Sequence, residues 1–109
     1  MLVIEDNKIY LTRGNTAIID IALTKNGEPY TMVEGDSLVM TIKRKYPYNK
    51  IVLTLLAINS SFVFGVDATK DMAFGIYDYD ITFYGNDGAV DTVIVGEFEV
   101  GKECYDNES

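Results

Sequence analysis

Histidine and tryptophan are absent from this chain of 109 residues, cysteine occurs once and proline twice. Each absence removes a class of chemistry. Without histidine there is no Ser–His–Asp triad and no Cys–His nucleophilic pair. Zinc centres built on His or on several Cys are excluded with it. A lone thiol, Cys104, closes no internal disulfide, so the fold cannot lean on one and an intracellular folding compartment is expected. Bases are scarce as well: 9 Lys and Arg against 17 Asp and Glu give a formal charge of -8. That sign opposes phosphate neutralisation and attraction to an anionic bilayer, so neither nucleic acid nor membrane is expected as a partner. No apolar run approaches the ~18 residues that span a bilayer. The longest, Ile51–Ile58, is interrupted by Thr54. The opening Met1–Asp6 lacks a basic flank and a cleavable apolar segment, so it is not expected to be a secretory signal. Gly14, Gly27, Gly65, Gly85 and Gly88 are scattered among turns and make no phosphate-cradling loop.

What is present is short apolar alternation between turn residues. Tyr10–Thr12 runs into a Gly14-Asn15 turn, and Ala17–Thr24 alternates, with Ile19, Ile21 and Leu23 on one face. Lys25-Asn26-Gly27-Glu28 supplies a turn whose Asn-Gly suits positive φ. Ser37–Lys43 puts Leu38, Met40 and Ile42 on one side, and Pro47 stops the ladder beyond it. Ile51–Ala57 is β-prone, although Leu55-Leu56-Ala57 would also start a helix; Ser61–Phe64 is a short strand. Asp67–Ala73 is the one helical turn expected, with Asp67 as N-cap and Ala68, Lys70 and Met72 as helix formers. Ile76–Tyr84 alternates strictly, with Tyr77, Tyr79, Ile81 and Phe83 sharing a face. Asn86-Asp87-Gly88 turns the chain into Val90–Val100, where the phase slips and Gly96 is the expected bulge.

About seven or eight short strands with one helical turn argue for an all-β, two-sheet antiparallel sandwich over residues 1–101, followed by a polar tail at 102–109; a small barrel is the alternative. Its expected core is Ile19, Ile21, Leu23, Leu38, Met40, Ile42, Leu53, Leu55, Phe62, Phe64, Tyr77, Tyr79, Ile81, Phe83, Phe98 and Val100. Tyr77 stands two residues before Tyr79, the offset at which an immunoglobulin-like sandwich places a tyrosine corner ahead of its strand-F cysteine. The Tyr77 hydroxyl is therefore expected to bond backbone in the turn before it.

No catalytic, cofactor-binding or metal-ligating set emerges. Asp78 and Asp80 share a strand face and, with Asp91 or Glu97, would form a carboxylate cluster able to do acid–base chemistry or to bind calcium, but their spacing matches no ligand loop. A solvated sheet face is the plainer explanation. The candidate binding surface is the segment holding Lys43, Arg44, Lys45, Tyr46, Tyr48 and Lys50: four of the 9 bases beside two of the 8 tyrosines. Tyrosine beside Lys and Arg is an interface composition, and tyrosine rings also stack on sugars; a solvated loop is the plainer explanation.

Ile9-Tyr10-Leu11-Thr12-Arg13-Gly14-Asn15-Thr16 resembles the x-T-R-G-D-T opening of the N-terminal immunoglobulin-like domain of phage upper baseplate proteins. Phe74–Ile81 is similar to the G-x-Y-x-Y-D-I strand of that family, and Asp87-Gly88 and Gly96–Val100 are similar to its D-G hairpin and closing G-x-F-x-V. The resemblance covers Lys8 to Val100. It implies a non-enzymatic structural module of a phage or prophage tail or baseplate. Such a module folds in the host bacterial cytoplasm, joins the virion and binds other tail proteins, with self-association a further option. It implies no cofactor. Upper baseplate proteins usually continue into linker and receptor-binding-holding regions beyond the span of this resemblance, so a small tail accessory or one adaptor piece is expected here rather than the bridging role. Two rivals stand beside it: a carbohydrate- or surface-binding immunoglobulin-like module, and a small enzyme working through acidic residues.

Overall fold

The alternating segments become strands, and the Gly- and Asn-rich stretches become the turns between them. The structure, a computed structural model, describes residues 2–5 and 7–102. Among these residues there are ten strands and no helix. They are β1 (Leu2–Glu5), β2 (Lys8–Thr12), β3 (Ala17–Asp20), β4 (Leu23–Lys25), β5 (Glu28–Tyr30), β6 (Ser37–Arg44), β7 (Ile51–Leu56), β8 (Ser61–Phe64), β9 (Gly75–Tyr84) and β10 (Val90–Gly101). Six of them form a mixed sheet in the order β1-β2-β10-β9-β6-β7; β3–β8 and β4–β5 are separate two-stranded sheets. The chain is therefore all-β. The tail residues 103–109, with Cys104, lie outside the described residues.

The core lies between the large sheet and the β3–β8 pair. Leu38, Met40 and Ile42 from β6 line up with Tyr77, Tyr79 and Ile81 from β9 and with Phe98 and Val100 from β10, all buried. Ile19, Phe62 and Phe64 face them from the smaller layer, and the Phe64 and Phe98 rings stack at 5.6 Å between centroids. Burying each such side chain contributes ~1.5–3 kcal/mol before entropy is subtracted. Of the expected core, Ile21, Leu23, Leu53, Leu55 and Phe83 are only partly buried. Ile9, Leu11 and Met72, not expected, are buried with the rest. The tyrosine hydroxyls reach backbone partners as buried Tyr must: Tyr77 Oη donates to Ala73 O at 2.7 Å, in the turn before β9, and Tyr79 Oη donates to Asn7 O at 2.5 Å.

Four expectations are corrected. The sheet is not wholly antiparallel: β2 runs parallel to β10, with Ile9 beside Phe98 and Leu11 beside Val100. This pairing covers the open side of β10 and explains why Ile9 and Leu11 are core. The Ala17–Thr24 strand is broken at Ile21-Ala22, where the Ile21 N–H turns to Ser60 O (2.9 Å) and the chain leaves β8 to form the β4–β5 hairpin. That hairpin turns on Asn26 (φ 54°) and Gly27 (φ 81°), as Asn-Gly predicts.

The helical turn at Asp67–Ala73 does not form; the chain makes separate turns closed by Ala68 N to Gly65 O and Met72 N to Thr69 O. One turn cannot repay helix nucleation. Tertiary ties win instead: Thr69 is fully buried and its Oγ1 accepts from Gly14 N at 2.9 Å, while Met72 enters the core. Finally, the bulge in β10 falls at Val93, between the pairs Thr92–Thr82 and Ile94–Ile81. Gly96 is in register opposite Tyr79, and its role is space: a Cβ there would sit 2.9 Å from Tyr79 Cε1 and press on the Asn7 carbonyl.

Candidate functional site

The β6–β7 connection gathers the expected binding residues at one end of the large sheet. Arg44 N donates to Lys50 O (2.8 Å) and Tyr48 N to Lys45 O (3.0 Å), so the loop is closed by its own backbone. Asn49 takes the left-handed region that Asn tolerates, and the Tyr46–Pro47 peptide is cis. Closed by these two bonds, the loop leaves its rings outside: Tyr46 is 83% and Tyr48 74% exposed. Arg44 and Lys50 are exposed beside them.

The six residues do not act as one basic patch. Lys45 folds over the outer face of the sheet, and its Nζ lies 2.9 Å from Asp78 Oδ1 and 2.8 Å from Glu97 Oε2. These carboxylates are direct cross-strand neighbours on β9 and β10. Glu97 first, and Asp78 with it, hold the Lys45 ammonium above the ordinary lysine range. Lys43 is half-buried opposite Asp78. The free charge at the tip is thus carried by Arg44 and Lys50.

The carboxylate cluster weighed from the sequence is only half assembled. Asp78 and Glu97 do meet, but Lys45 occupies the space between them, which makes an ion-pair clamp. Asp80 lies opposite Val95 and accepts from Thr82 Oγ1 at 3.3 Å; Asp91 stands opposite Phe83, at the far end of the β9–β10 hairpin. Among the described residues no three His, Cys, Asp or Glu side chains are grouped to hold a metal ion.

Beside the loop runs a shallow groove of about 200 Å³ lined by Arg44, Tyr46, Tyr48, Phe74 and Ile76. Phe74 and Ile76 are exposed, and the Arg13 guanidinium stacks 4.1 Å above the Phe74 ring. Sequence reasoning missed Phe74 and Arg13 as members of this surface. The one available signal for Phe74 was an aromatic outside the strand alternation, next to Gly75, whose φ of 138° turns the chain into β9.

A second depression lies at the opposite end, between the β4–β5 and β9–β10 hairpins. There Tyr30 Oη donates to Asp36 Oδ2 at 2.5 Å, and the Tyr30 ring meets Phe83 edge-on. Asp36 also accepts from Val33 N (3.1 Å) and Asn86 N (2.8 Å). The Tyr30 hydroxyl, with these two amides, holds the Asp36 carboxyl below its usual range, and Asp36 in turn raises Tyr30. Asp36 thus ties β5, its own loop and the β9–β10 turn together, as a structural latch.

Comparison with known proteins returns no matching family model, no matching curated protein and no matching solved structure.

Proposed function

We propose that the chain is an immunoglobulin-like sandwich serving as a non-enzymatic structural module of a phage or prophage tail or baseplate. In this role it folds in the bacterial cytoplasm and docks other virion proteins. The strand order supports the fold assignment. Variable-type immunoglobulin sandwiches set strands C′, C, F and G side by side and pair B with E in the facing layer. Here β7, β6, β9 and β10 follow the first order, and β3–β8 stands in the place of the second pair. The Tyr77 bond to Ala73 O has the form of a tyrosine corner. The β4–β5 hairpin has no counterpart in that scheme.

The observation that carries the binding role is the β6–β7 loop, with two tyrosines held outside the fold beside Arg44, Phe74 and Ile76. Tyr and Arg are the residues that most often dominate binding energy at protein interfaces. A loop already closed by its own backbone bonds also loses less entropy when it docks. The particular setting, a phage tail, comes from the resemblance of Lys8–Val100 to upper baseplate domains.

The test is to mix the purified chain with the tail and baseplate proteins encoded beside its gene and to measure complex mass by light scattering. A stable complex is expected, weakened at least tenfold by Tyr46→Ala with Tyr48→Ala. Selective binding on a glycan array, with no complex among the virion proteins, would replace this proposal with the carbohydrate-binding one, since the same rings could stack on a sugar.

A further inference from the structure

We infer that Lys45 is an electrostatic strap: its two ion pairs set the posture of the β6–β7 loop, so that the Tyr46 and Tyr48 rings and the groove beside them are held at low salt and loosened at high salt. The strap stands on geometry. Its consequence for docking rests on the binding role proposed above.

Arg44 is the last residue of β6 in register, opposite Tyr77. Were the strand to run on, Lys45 would stand opposite Ile76. Instead its ammonium reaches Asp78 on β9 at 2.9 Å and Glu97 on β10 at 2.8 Å. Strand β10 is two places from β6 in the sheet, ~10 Å across. One side chain thus ties the loop to both central strands. The same residue begins the turn that carries the rings, since its carbonyl accepts from Tyr48 N at 3.0 Å. It also lines the groove with Tyr46, Tyr48, Phe74 and Ile76. Among the described residues, no other side chain from 44 to 50 has a polar partner, the Tyr46 and Tyr48 hydroxyls included.

The charges around it leave this task to Lys45. Asp78 and Glu97 are directly opposite each other, where like charges repel unless a cation joins them. Lys43 faces Asp78 from β6, but the ion pair goes to Lys45. Further along β10, Glu99 is taken by Lys8 at 3.3 Å. Asp67 and Asp71 border the neighbouring depression with Arg44, and Asp67 pairs with Lys70, so neither competes for the Lys45 ammonium. Lys45, Asp78 and Glu97 are all partly exposed, which makes their pairs open to screening. One exposed pair is weak; two on one ammonium shift a local opening equilibrium roughly fivefold. That is enough to change how a loop is held and too little to unfold a domain.

The experiment is amide hydrogen exchange, followed residue by residue by NMR, on the full chain without a partner. Salt is raised from about 0.01 M to about 1 M, over which the Debye length falls from about 30 Å to about 3 Å. The Tyr48 and Arg44 amides, whose bonds close the loop, should exchange roughly fivefold faster at high salt. The reference is the Gly88 amide, which closes the hairpin turn at the other end of the sheet. Lys45→Met should make both loop amides fast at either salt, and Lys45→Arg should restore the natural response. The Ile81 amide, inside β9, should not change in any of these, which separates a loosened loop from a weakened fold. Loop amides that ignore salt and Lys45→Met overturn the inference. So do loop amides that rise only together with Ile81, or an Arg variant that behaves like the Met one. In the complex proposed above, Lys45→Met should weaken binding roughly fivefold with both rings intact, and Lys45→Arg should not. Responsive loop amides with no complex at all would count against the docking role and leave the strap in place.

Discussion

Tyr77→Phe isolates a single hydroxyl in the most constrained part of the fold. The ring is 4% exposed and stays in place, so packing is unchanged. Only the 2.7 Å bond to Ala73 O is removed. The net value of a protein hydrogen bond is ~0.5–1.5 kcal/mol, and stranding a buried acceptor costs ~1–3 kcal/mol. Ala73 is exposed, so water can reach its carbonyl once the hydroxyl is gone, and the smaller figure applies. A loss of ~1 kcal/mol is expected, equivalent to a fall of about 4–8 °C in Tm for a domain near this size. The assay is urea unfolding followed by tyrosine fluorescence and circular dichroism, comparing midpoints at a common slope. Tyr84→Phe serves as control, since Tyr84 is exposed and its hydroxyl has no hydrogen-bond partner among the described residues; its midpoint should stay within ~0.5 kcal/mol of the natural chain. Equal midpoints for Tyr77→Phe and the natural chain would refute the corner as a stabilising device.

Three further outcomes follow from the geometry. Gly96→Ala should destabilise by ~1–3 kcal/mol, because the new methyl displaces the Tyr79 ring from its seat against Asn7; an unchanged thermal midpoint would show that the seat is loose. Asp36→Asn should lower stability near neutral pH. Because the Asp36 pKa is lowered from 3.8 on folding, the stabilisation is present above that value and lost as pH falls through the folded one. The gap in Tm between variant and natural chain should therefore close toward pH 2, and a gap constant with pH would sink the assignment. Lys45→Met leaves Asp78 and Glu97 facing each other without their cation. It should lower Tm most at low ionic strength, and a deficit independent of salt would mean that the ammonium matters only as packing.

Elements whose pattern is local were legible in the chain itself. Tyr77, Tyr79 and Ile81 alternate with acids and Thr, and they proved buried on one face of β9. The β4–β5 turn needed only Asn26-Gly27. What was not legible depends on residues far apart in sequence. Nothing near Ile9 indicates that its neighbour is Phe98. Phase slippage in β10 was visible, but Gly96 looked like its cause; the ring of Tyr79 claims that glycine, and Val93 takes the bulge. Asp67–Ala73 has an N-cap and helix formers at Ala68, Lys70 and Met72 and still forms no helix, because Thr69 and Met72 are drawn to partners elsewhere. The basic, tyrosine-bearing loop between β6 and β7 was recognisable by composition. That Lys45 would be withdrawn from it could be seen only once Asp78 and Glu97 were known to be adjacent.

The parallel pairing of β2 with β10 sets the timing of folding during synthesis. Ile9 and Leu11 emerge from the ribosome well before their seat beside Phe98 and Val100 is translated. Until then the N-terminal hairpin has no docking strand, and its apolar side chains must wait in solvent or in a chaperone's hands. A chain cut short by a premature stop before Val90 would hold two sheet fragments with nothing between them. Closing so distant a contact is entropically slow, so the domain should be completed only once β10 is free to dock, in one cooperative step.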